Sequence, residues 1–299
     1  MRLFHSVLKL LLLLALLILQ GCESTSEQSQ PKYAAFILGN SYNNSSQPAL
    51  KLKNTVNDAR LIASKLETLP TQFTSIMLIE DPSEKELNVA INKFLTGLDS
   101  NTTAFFFYAG HGIQINNQNY MLTSDGNSLV EFSDLLTTLR QHAYGVVAVL
   151  DACRNNPFGD GGVNTAANSR GLKMVKTSKK DWTSKQIPRP PSEWEKGLAK
   201  MQLSGSRMMV VFSTDPGNVA TDSLSSTDTN SPFTEALGNA ITNQTSFEEV
   251  INSVSSSLDD PTLGIRQAPW RQNSWTESLY FAGMPAVYSK GKKNLVPPM

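Results

Sequence analysis

The sequence is poor in cysteine, histidine and net charge, and each shortage narrows what the chain can be. Its 299 residues include two cysteines and three histidines. Two cysteines exclude a disulfide-rich scaffold, since the one possible intrachain pair is Cys22 with Cys153. Basic and acidic residues balance at 26 each, so no global charge points to nucleic acid as a partner. The length suits one large α/β domain or two small ones.

The amino terminus has the pattern of a targeting segment. A basic start precedes the apolar stretch Leu10–Leu19, which is too short to span a bilayer but suits the core of a signal peptide over residues 1–21. The following Leu19-Gln20-Gly21-Cys22 resembles the lipobox of bacterial lipoproteins, in which the cysteine is acylated and becomes the first residue. We expect lipidation at Cys22 and a flexible polar tether over 22–32; the alternative is an ordinary signal peptide.

This interpretation also predicts where the chain resides. Acylation of Cys22 would anchor it to the cell envelope, and Glu23 after the cysteine favours a periplasm-facing position on the outer membrane. Processing without acylation would instead give a secreted protein.

Apolar runs alternate with amphipathic helical patterns, which predicts an α/β domain over 33–283 with a mainly parallel sheet. The predicted strands are Tyr33–Leu38, Phe73–Ile79, Ala104–Tyr108, Val146–Leu150 and Met208–Phe212, with a last edge strand at Leu279–Phe281. Predicted helices follow caps at Asn57-Asp58, Ser83 and Ser133 and cover Phe233–Ile241 and Phe247–Leu258. The stretch 155–206 loses this pattern and predicts a mobile basic loop, and 284–299 predicts a disordered tail.

Two of the predicted strands end in residues with reactive side chains. Ala104–Tyr108 leads to His111 and Gly112, and Val146–Leu150 leads to Cys153. Because reacting groups collect at the carboxyl ends of strands in open α/β sheets, His111 and Cys153 are a candidate base and nucleophile facing one crevice. Backbone amides of Gly112 and Cys153 are candidates for holding the developing oxyanion. A lone histidine and a lone cysteine are more often core residues, but this placement favours catalysis.

The same residues resemble a known family. Tyr108-Ala109-Gly110-His111-Gly112 followed by Asp151-Ala152-Cys153-Arg154 is similar to the His-Gly and Asp-x-Cys pair of caspase-like cysteine peptidases, in the bacterial branch related to metacaspases and paracaspases. Further matching motifs, in order, are Leu38-Gly39-Asn40, Asn57-Asp58-Ala59, Asn119-Tyr120, Asn155-Asn156-Pro157-Phe158, Ser231-Pro232-Phe233-Thr234 and Gln267-Ala268-Pro269-Trp270. The resemblance implies a caspase-like three-layer α/β fold, with a mostly parallel six-stranded sheet between helices, and cysteine endopeptidase activity.

The resemblance also implies a substrate class. In the metacaspase and paracaspase branch, two aspartates at the positions of Asp58 and Asp151 line an acidic pocket for Arg or Lys. Carboxylates bind a guanidinium by charge-assisted hydrogen bonds and would repel a substrate aspartate, so we predict cleavage of proteins or peptides after basic residues. The alternative is that Asp58 only caps its helix and Asp151 only braces a turn. Asp215 and Asp222 are weaker candidates for the border of the pocket.

The basic stretch after Cys153 has two interpretations. Lys and Arg outnumber Asp and Glu between Arg170 and Lys200, which a solvated mobile loop explains without further function. Caspase-like enzymes are often cut in this place during maturation, and an acidic pocket would accept the basic sites. The second hypothesis is therefore self-processing between Arg170 and Lys200.

Two other functions remain open. One is a catalytically silent caspase-like module that binds a partner at the cell envelope, and the other is a different hydrolase or transferase with the same dyad. The presence of both His111 and Cys153 favours the peptidase. No cofactor or metal site is predicted, and a calcium requirement, known in some metacaspases, stays open.

Overall fold

In the computed structural model, the central part of the chain is described and both termini lie outside it. The described residues are 32–69, 73–115, 118–153, 175–177, 181–183, 194–195, 198, 201, 205–215, 220–242, 245–265 and 267–281. The predicted signal peptide, Cys22, nearly all of the tether and the predicted tail lie outside these residues. So does most of the basic stretch 155–206. None of the helices within the described ranges is both long and apolar enough to cross a membrane.

Strands and helices alternate along the described residues. The strands are β1 (Lys32–Gly39), β2 (Phe73–Glu80), β3 (Thr102–Ile115), β4 (Gln118–Leu122), β5 (Leu129–Glu131), β6 (Gly145–Cys153), β7 (Val175–Thr177), β8 (Asp181–Thr183), β9 (Trp194–Glu195), β10 (Met208–Phe212) and β11 (Trp270–Asn273). The helices are α1 (Thr55–Glu67), α2 (Glu84–Thr96), α3 (Phe132–His142), α4 (Pro232–Ala240) and α5 (Phe247–Leu258). Short 3-10 turns cover Pro48–Leu50 and Pro261–Leu263.

The main sheet has the order β11-β10-β6-β3-β1-β2, and every neighbouring pair is parallel except β10 with β11. This path has six strands, the predicted number, and five of them match the predicted strands. Three further strands lie off it: β4 and β9 pair with the extended end of β3, and β5 pairs with β4. The predicted α/β class with a mostly parallel sheet between helices is therefore confirmed.

Strand alternation divides the core into two layers. Phe106 and Tyr108 face the layer of α2 and α3, whereas Phe105 and Phe107 on the same strand face the layer of α1, α4 and α5. Both faces of the strand are buried, which explains why its sequence is a continuous apolar run. His111 continues the second set, so it belongs to the face that carries α1 and α4.

The last edge strand was predicted wrongly. β11 at Trp270–Asn273 forms the antiparallel edge, whereas Tyr280 makes only an isolated bridge with Ser246. Leu279 and Phe281 are buried in the core instead. The alternating half-buried and exposed residues of β11 suit an edge strand, but its polar sequence hides this in a search for apolar runs.

Two predicted helix starts also differ from the structure. α1 begins at Thr55 after Asn54, so Asp58 lies inside its first turns and is not its cap. α3 begins at Phe132 because β5 continues directly into it, without Ser133 as a cap. The start at Ser83 is confirmed: its hydroxyl accepts the Glu86 N–H and the Glu86 carboxylate accepts the Ser83 N–H, which forms a capping box.

A glycine sets the distance between β1 and α1. A Cβ on Gly39 would lie 2.6 Å from the carbonyl oxygen of Thr55 and 2.9 Å from the Cβ of Ala59. Only glycine therefore permits α1 to start so close to the end of β1. This contact places Asp58 beside the carboxyl ends of the strands.

Candidate active site

The two reactive strand ends are neighbours in the sheet. β3 and β6 run parallel, and their register pairs His111 with Cys153 and Ala109 with Asp151. The structure thus brings together the backbones of the candidate base and nucleophile. The pairing follows from the parallel register, which runs from Thr103 with Gly145 to His111 with Cys153 and brings both residues to the same edge of the sheet.

His111 is buried and its ring is oriented by one backbone carbonyl. The side chain is 5% exposed, and Nε2 lies 2.8 Å from the carbonyl oxygen of Leu50. Because a carbonyl can only accept, Nε2 carries the proton, and Nδ1 of the neutral ring is left as an acceptor. Nδ1 is buried and has no hydrogen-bond partner within the described part of the chain. Burial lowers the pKa of His111, against the smaller opposing effects of the Leu50 carbonyl and the charge of Asp222.

Two buried tyrosines hold the main chain of His111. The Tyr42 hydroxyl accepts the His111 N–H at 2.8 Å, and the Tyr108 hydroxyl donates to the His111 carbonyl at 3.0 Å. The two hydroxyls lie 3.0 Å apart, and the Tyr42 ring packs against the imidazole with centroids 4.6 Å apart. A Cβ on Gly110 would lie 2.5 Å from the Tyr108 hydroxyl, so a glycine is needed at position 110. The backbone of His111 is therefore fixed on both sides.

Tyr42 itself has an unusual backbone that Asp81 stabilises. Tyr42 has φ of 60° and Asp81 has φ of 42°, both in the left-handed region. The Asp81 carboxylate accepts the N–H groups of Ser41 at 2.6 Å and of Tyr42 at 3.3 Å. Such backbone outliers cluster at functional sites because the surrounding structure must hold them. Sequence analysis missed Tyr42, Asp81 and Leu50, since their roles depend on backbone groups and on a loop conformation.

Gly112 allows the two strand ends to close tightly. A Cβ at this position would lie 3.0 Å from both the Cβ of Ala152 and Cδ2 of Leu198. Leu198 is buried although it belongs to the stretch predicted as a mobile loop. The end of that stretch is anchored further by β9 on β3 and by Met201, whose N–H and carbonyl bond the Gln272 side chain at 2.6 and 2.7 Å. The mobility of the rest stays a prediction.

Three carboxylates line one narrow pocket next to the strand ends. They belong to Asp58, Asp151 and Asp222, whereas Asp215 is not among its lining residues. Asp58 is 1% exposed and Asp151 is 7% exposed. No Lys or Arg side chain lines this pocket among the residues that the structure describes. Burial, and then the charge of Asp151, raises the pKa of Asp58; burial likewise raises the pKa of Asp151.

The start of α4 is bonded to both buried aspartates. Oδ1 of Asp58 accepts the Ser231 N–H at 2.9 Å and the Asn230 amide at 3.0 Å. Oδ2 of Asp151 accepts the hydroxyls of Ser231 at 2.5 Å and Thr234 at 2.7 Å. Asp58 therefore does not cap its own helix, contrary to the alternative considered from the sequence. It bonds the start of another helix, more than a hundred positions along the chain.

Asp222 reaches the pocket because its segment closes over the start of α1. Its carboxylate accepts the N–H groups of Lys53 at 2.9 Å and Asn54 at 3.3 Å, the two residues that precede α1. The Lys53 ammonium donates to the carbonyls of Ser226 at 2.6 Å and Asp228 at 2.7 Å. Within the described ranges, no group of three His, Cys, Asp or Glu side chains is arranged to hold a metal ion.

Comparisons with known proteins agree with the resemblance seen in the motifs. The family model described as the caspase domain, of peptidase family C14, matches residues 32–280. The crystal structure of caspase-1 from Spodoptera frugiperda is similar in fold, with a TM-score of 0.52 at 15% sequence identity. That alignment covers 84% of this chain and 91% of that chain. No curated protein matches the sequence.

Proposed function

This chain belongs to the caspase-domain family of cysteine peptidases, and on that premise we propose that it is an endopeptidase that cleaves after Arg or Lys. His111 acts as the base and Cys153 as the nucleophile. The observation that carries the proposal is the register of β3 and β6, which pairs these two residues directly beside a pocket lined by three carboxylates. Protein substrates follow from the family.

The reaction begins with a proton transfer. Nδ1 of His111 takes the thiol proton of Cys153, and the thiolate attacks the peptide carbonyl carbon. The oxyanion accepts hydrogen bonds from the backbone N–H groups of Gly112 and Cys153. When the carbon–nitrogen bond breaks, the leaving amine takes the proton from Nδ1. Water then attacks the thioester carbon while Nδ1 of His111 takes its proton. The carbon–sulfur bond breaks, the Cys153 sulfur recovers that proton from His111, and the carboxylic acid is released.

In Ser-His-Asp triads a carboxylate accepts from the imidazole and fixes its tautomer, and the Leu50 carbonyl has the same role for His111. By accepting from Nε2 at 2.8 Å, it fixes the tautomer that leaves Nδ1 able to take a proton. When the ring becomes charged, the same carbonyl and the nearby charge of Asp222 stabilise it. Burial keeps the resting ring neutral, which is the form that a base needs.

The pocket supplies the preference for basic residues. Two buried carboxylates and a third at the border line the pocket, and no Lys or Arg side chain lines it among the residues that the structure describes. A guanidinium or ammonium would replace the missing positive charge, whereas a substrate carboxylate would be repelled. The side chain before the scissile bond is therefore Arg or Lys.

The test uses the full chain on fluorogenic peptides that end in Arg, Lys or Asp, with and without calcium. The matched control is Cys153→Ala. Cleavage after Arg or Lys that is lost in the control is the expected result. Cleavage that persists in Cys153→Ala, or that prefers Asp, would contradict the proposal. Silence with all three peptides would favour the binding module.

We also propose that the enzyme cuts its own chain between Arg170 and Lys200. The support is the excess of basic residues there, combined with an acidic pocket. Mass spectrometry of the active chain should give fragments that end at Lys or Arg in this interval, and Cys153→Ala should stay intact. An active preparation that contains only intact chain would refute self-processing and leave the peptidase proposal standing.

The lipid anchor at Cys22 is a separate proposal, supported by the lipobox-like sequence alone. Radiolabelled palmitate should enter the chain in bacterial cells and should be absent from Cys22→Ser. Equal labelling of both chains would refute acylation at this residue.

A further inference from the structure

The first turn of α4 contacts the carboxylates of Asp58 and Asp151 in the same way. It bonds one oxygen of each: Oδ1 of Asp58 and Oδ2 of Asp151 each accept two hydrogen bonds from Asn230, Ser231 or Thr234. Neither Oδ2 of Asp58 nor Oδ1 of Asp151 accepts a hydrogen bond from this turn. Both side chains line the same pocket, and this turn orients each carboxylate through one oxygen and does not occupy the other. The Ser213 side chain also interacts with Asp151 and opposes the rise that burial causes in its pKa.

This turn is itself rigidly defined. Ser231 is the N-cap of α4, and its hydroxyl accepts the Thr234 N–H at 3.0 Å while donating to Asp151. Pro232 occupies the first turn, where its fixed φ suits a helix start. Ser231 and Thr234 are both buried. The orientation of the carboxylates is therefore set by a helix end and not by a mobile loop.

All donors in this arrangement are neutral amides and hydroxyls. They favour the charged form of each carboxylate but leave its charge in place for a cationic ligand. Within the described residues, the ionisable groups that act on these two carboxylates are each other and Asp222 at the pocket border. His111 lies on the neighbouring strand, two positions beyond the register partner of Asp151. These neutral donors therefore oppose the effect of burial on the two carboxylates and lower the pH at which the empty pocket becomes charged.

We infer that Ser231 and Thr234 are positioning residues that make the pocket select arginine over lysine. A guanidinium has donors on several nitrogens in a fixed plane, so it gains most when two carboxylates are held in a fixed relation. An ammonium is a compact charge that tolerates displacement of either carboxylate. Loss of a hydrogen bond that holds Asp151 should therefore weaken the binding of an arginine side chain more than the binding of a lysine side chain. The inference rests on the proposed acidic pocket and goes beyond it by assigning the selectivity to α4.

The decisive variants are Thr234→Val, which removes the hydroxyl at nearly constant shape, and Thr234→Ser, which keeps it. A Ser231→Ala variant removes the second donor to Asp151. Ser83→Ala is the control, since it removes an N-cap hydroxyl from α2, in the opposite helix layer. Thermal unfolding of each full chain identifies any variant that is misfolded.

The expected result is a KM for Arg peptides about tenfold higher in Thr234→Val, with kcat within about twofold, as the loss of one hydrogen bond to a charged group predicts. The KM for Lys peptides should rise less, so the Arg/Lys ratio of kcat/KM falls. Activity on Arg peptides should also begin at higher pH. Thr234→Ser and Ser83→Ala should keep the native ratio and pH profile.

A binding measurement separates this inference from the proposed catalysis. In the Cys153→Ala background, calorimetry with an Arg-ended and a Lys-ended peptide reports the pocket alone. If Thr234→Val keeps the native Arg/Lys ratio in cleavage, the inference is wrong while the peptidase stands. If the native chain cleaves neither peptide but binding of Arg depends on Thr234, the catalysis is wrong while the inference stands. Absence of both binding and cleavage would overturn both.

Discussion

Burial favours the neutral form of the proposed base and of the proposed substrate pocket, but the consequences for function are opposite. It favours the neutral form of His111, which a base needs, and the neutral forms of Asp58 and Asp151, which cannot attract a cation. Within the described residues, the His111 ring has one hydrogen-bond partner, the Leu50 carbonyl, whereas hydroxyl and amide groups donate to the two carboxylates. Desolvation thus favours the protonation state that His111 needs, whereas hydrogen-bond donors oppose its effect on Asp58 and Asp151.

Removing the proposed base should have the largest effect on activity. His111→Ala should lower kcat/KM by about 10²- to 10⁴-fold, because Cys153 loses its proton acceptor. Alkylation of Cys153 near neutral pH should slow in parallel. His142→Ala is the matched control, since the His142 ring lies at the end of α3 and, among the described residues, bonds the Thr138 carbonyl at 2.9 Å. Equal alkylation rates in native and His111→Ala chains would show that the imidazole does not activate the thiol.

Neutralising the pocket should have the next largest effect and should leave the base untouched. Asp151→Asn should lower kcat/KM for Arg peptides by about a hundredfold, because a buried cation would lose a charged partner. The alkylation rate of Cys153 should stay near the native value. Asp215→Asn, outside the pocket lining, should change kcat/KM less than about twofold. A slower alkylation in Asp151→Asn would mean that the aspartate serves the dyad as well.

The pH dependence should separate the two regions further. Folding raises the pKa of Asp58 and Asp151, so the folded chain holds these protons more tightly than the unfolded chain. Their contribution to the free energy of unfolding therefore decreases as the pH rises from about 4, the ordinary carboxyl pKa, through the raised folded values. Cleavage after Arg should increase over the same range, by up to about tenfold per pH unit, because the pocket becomes charged.

The check is to record kcat/KM and thermal unfolding across this range for the native chain and for the double variant Asp58→Asn with Asp151→Asn. The double variant retains His111, whose lowered pKa acts in the opposite sense: its contribution to stability is lost as the pH falls below its ordinary value of about 6.5. The carboxyl contribution is therefore the difference between the two chains. Identical stability curves for both would contradict the raised pKa values.

The strand ends at His111 and Cys153 are easier to predict from the sequence than the surroundings of the acidic pocket. The strand ends at His111 and Cys153 could be predicted because buried parallel strands are continuous apolar runs and their endings are local. Asp58 and Asp151 were named through the family resemblance, but their partners at Ser231 and Thr234 come from a distant helix start. The start of α1 was misplaced for the same reason: Asp222, far along the chain, bonds the N–H groups before it. Long-range hydrogen bonds leave no periodic pattern.

The smallest predicted effect concerns the support of the base. Tyr42→Phe removes the hydroxyl that accepts the His111 N–H but keeps the ring that packs on the imidazole. We expect a loss of about 1 to 3 kcal/mol in the free energy of unfolding and a decrease in kcat of only a few-fold, with an unchanged Arg/Lys ratio, because the pocket does not depend on Tyr42. Chemical denaturation and steady-state kinetics measure both. A change in the ratio would show that the base and the pocket share one support, and the contrast between them would then fail.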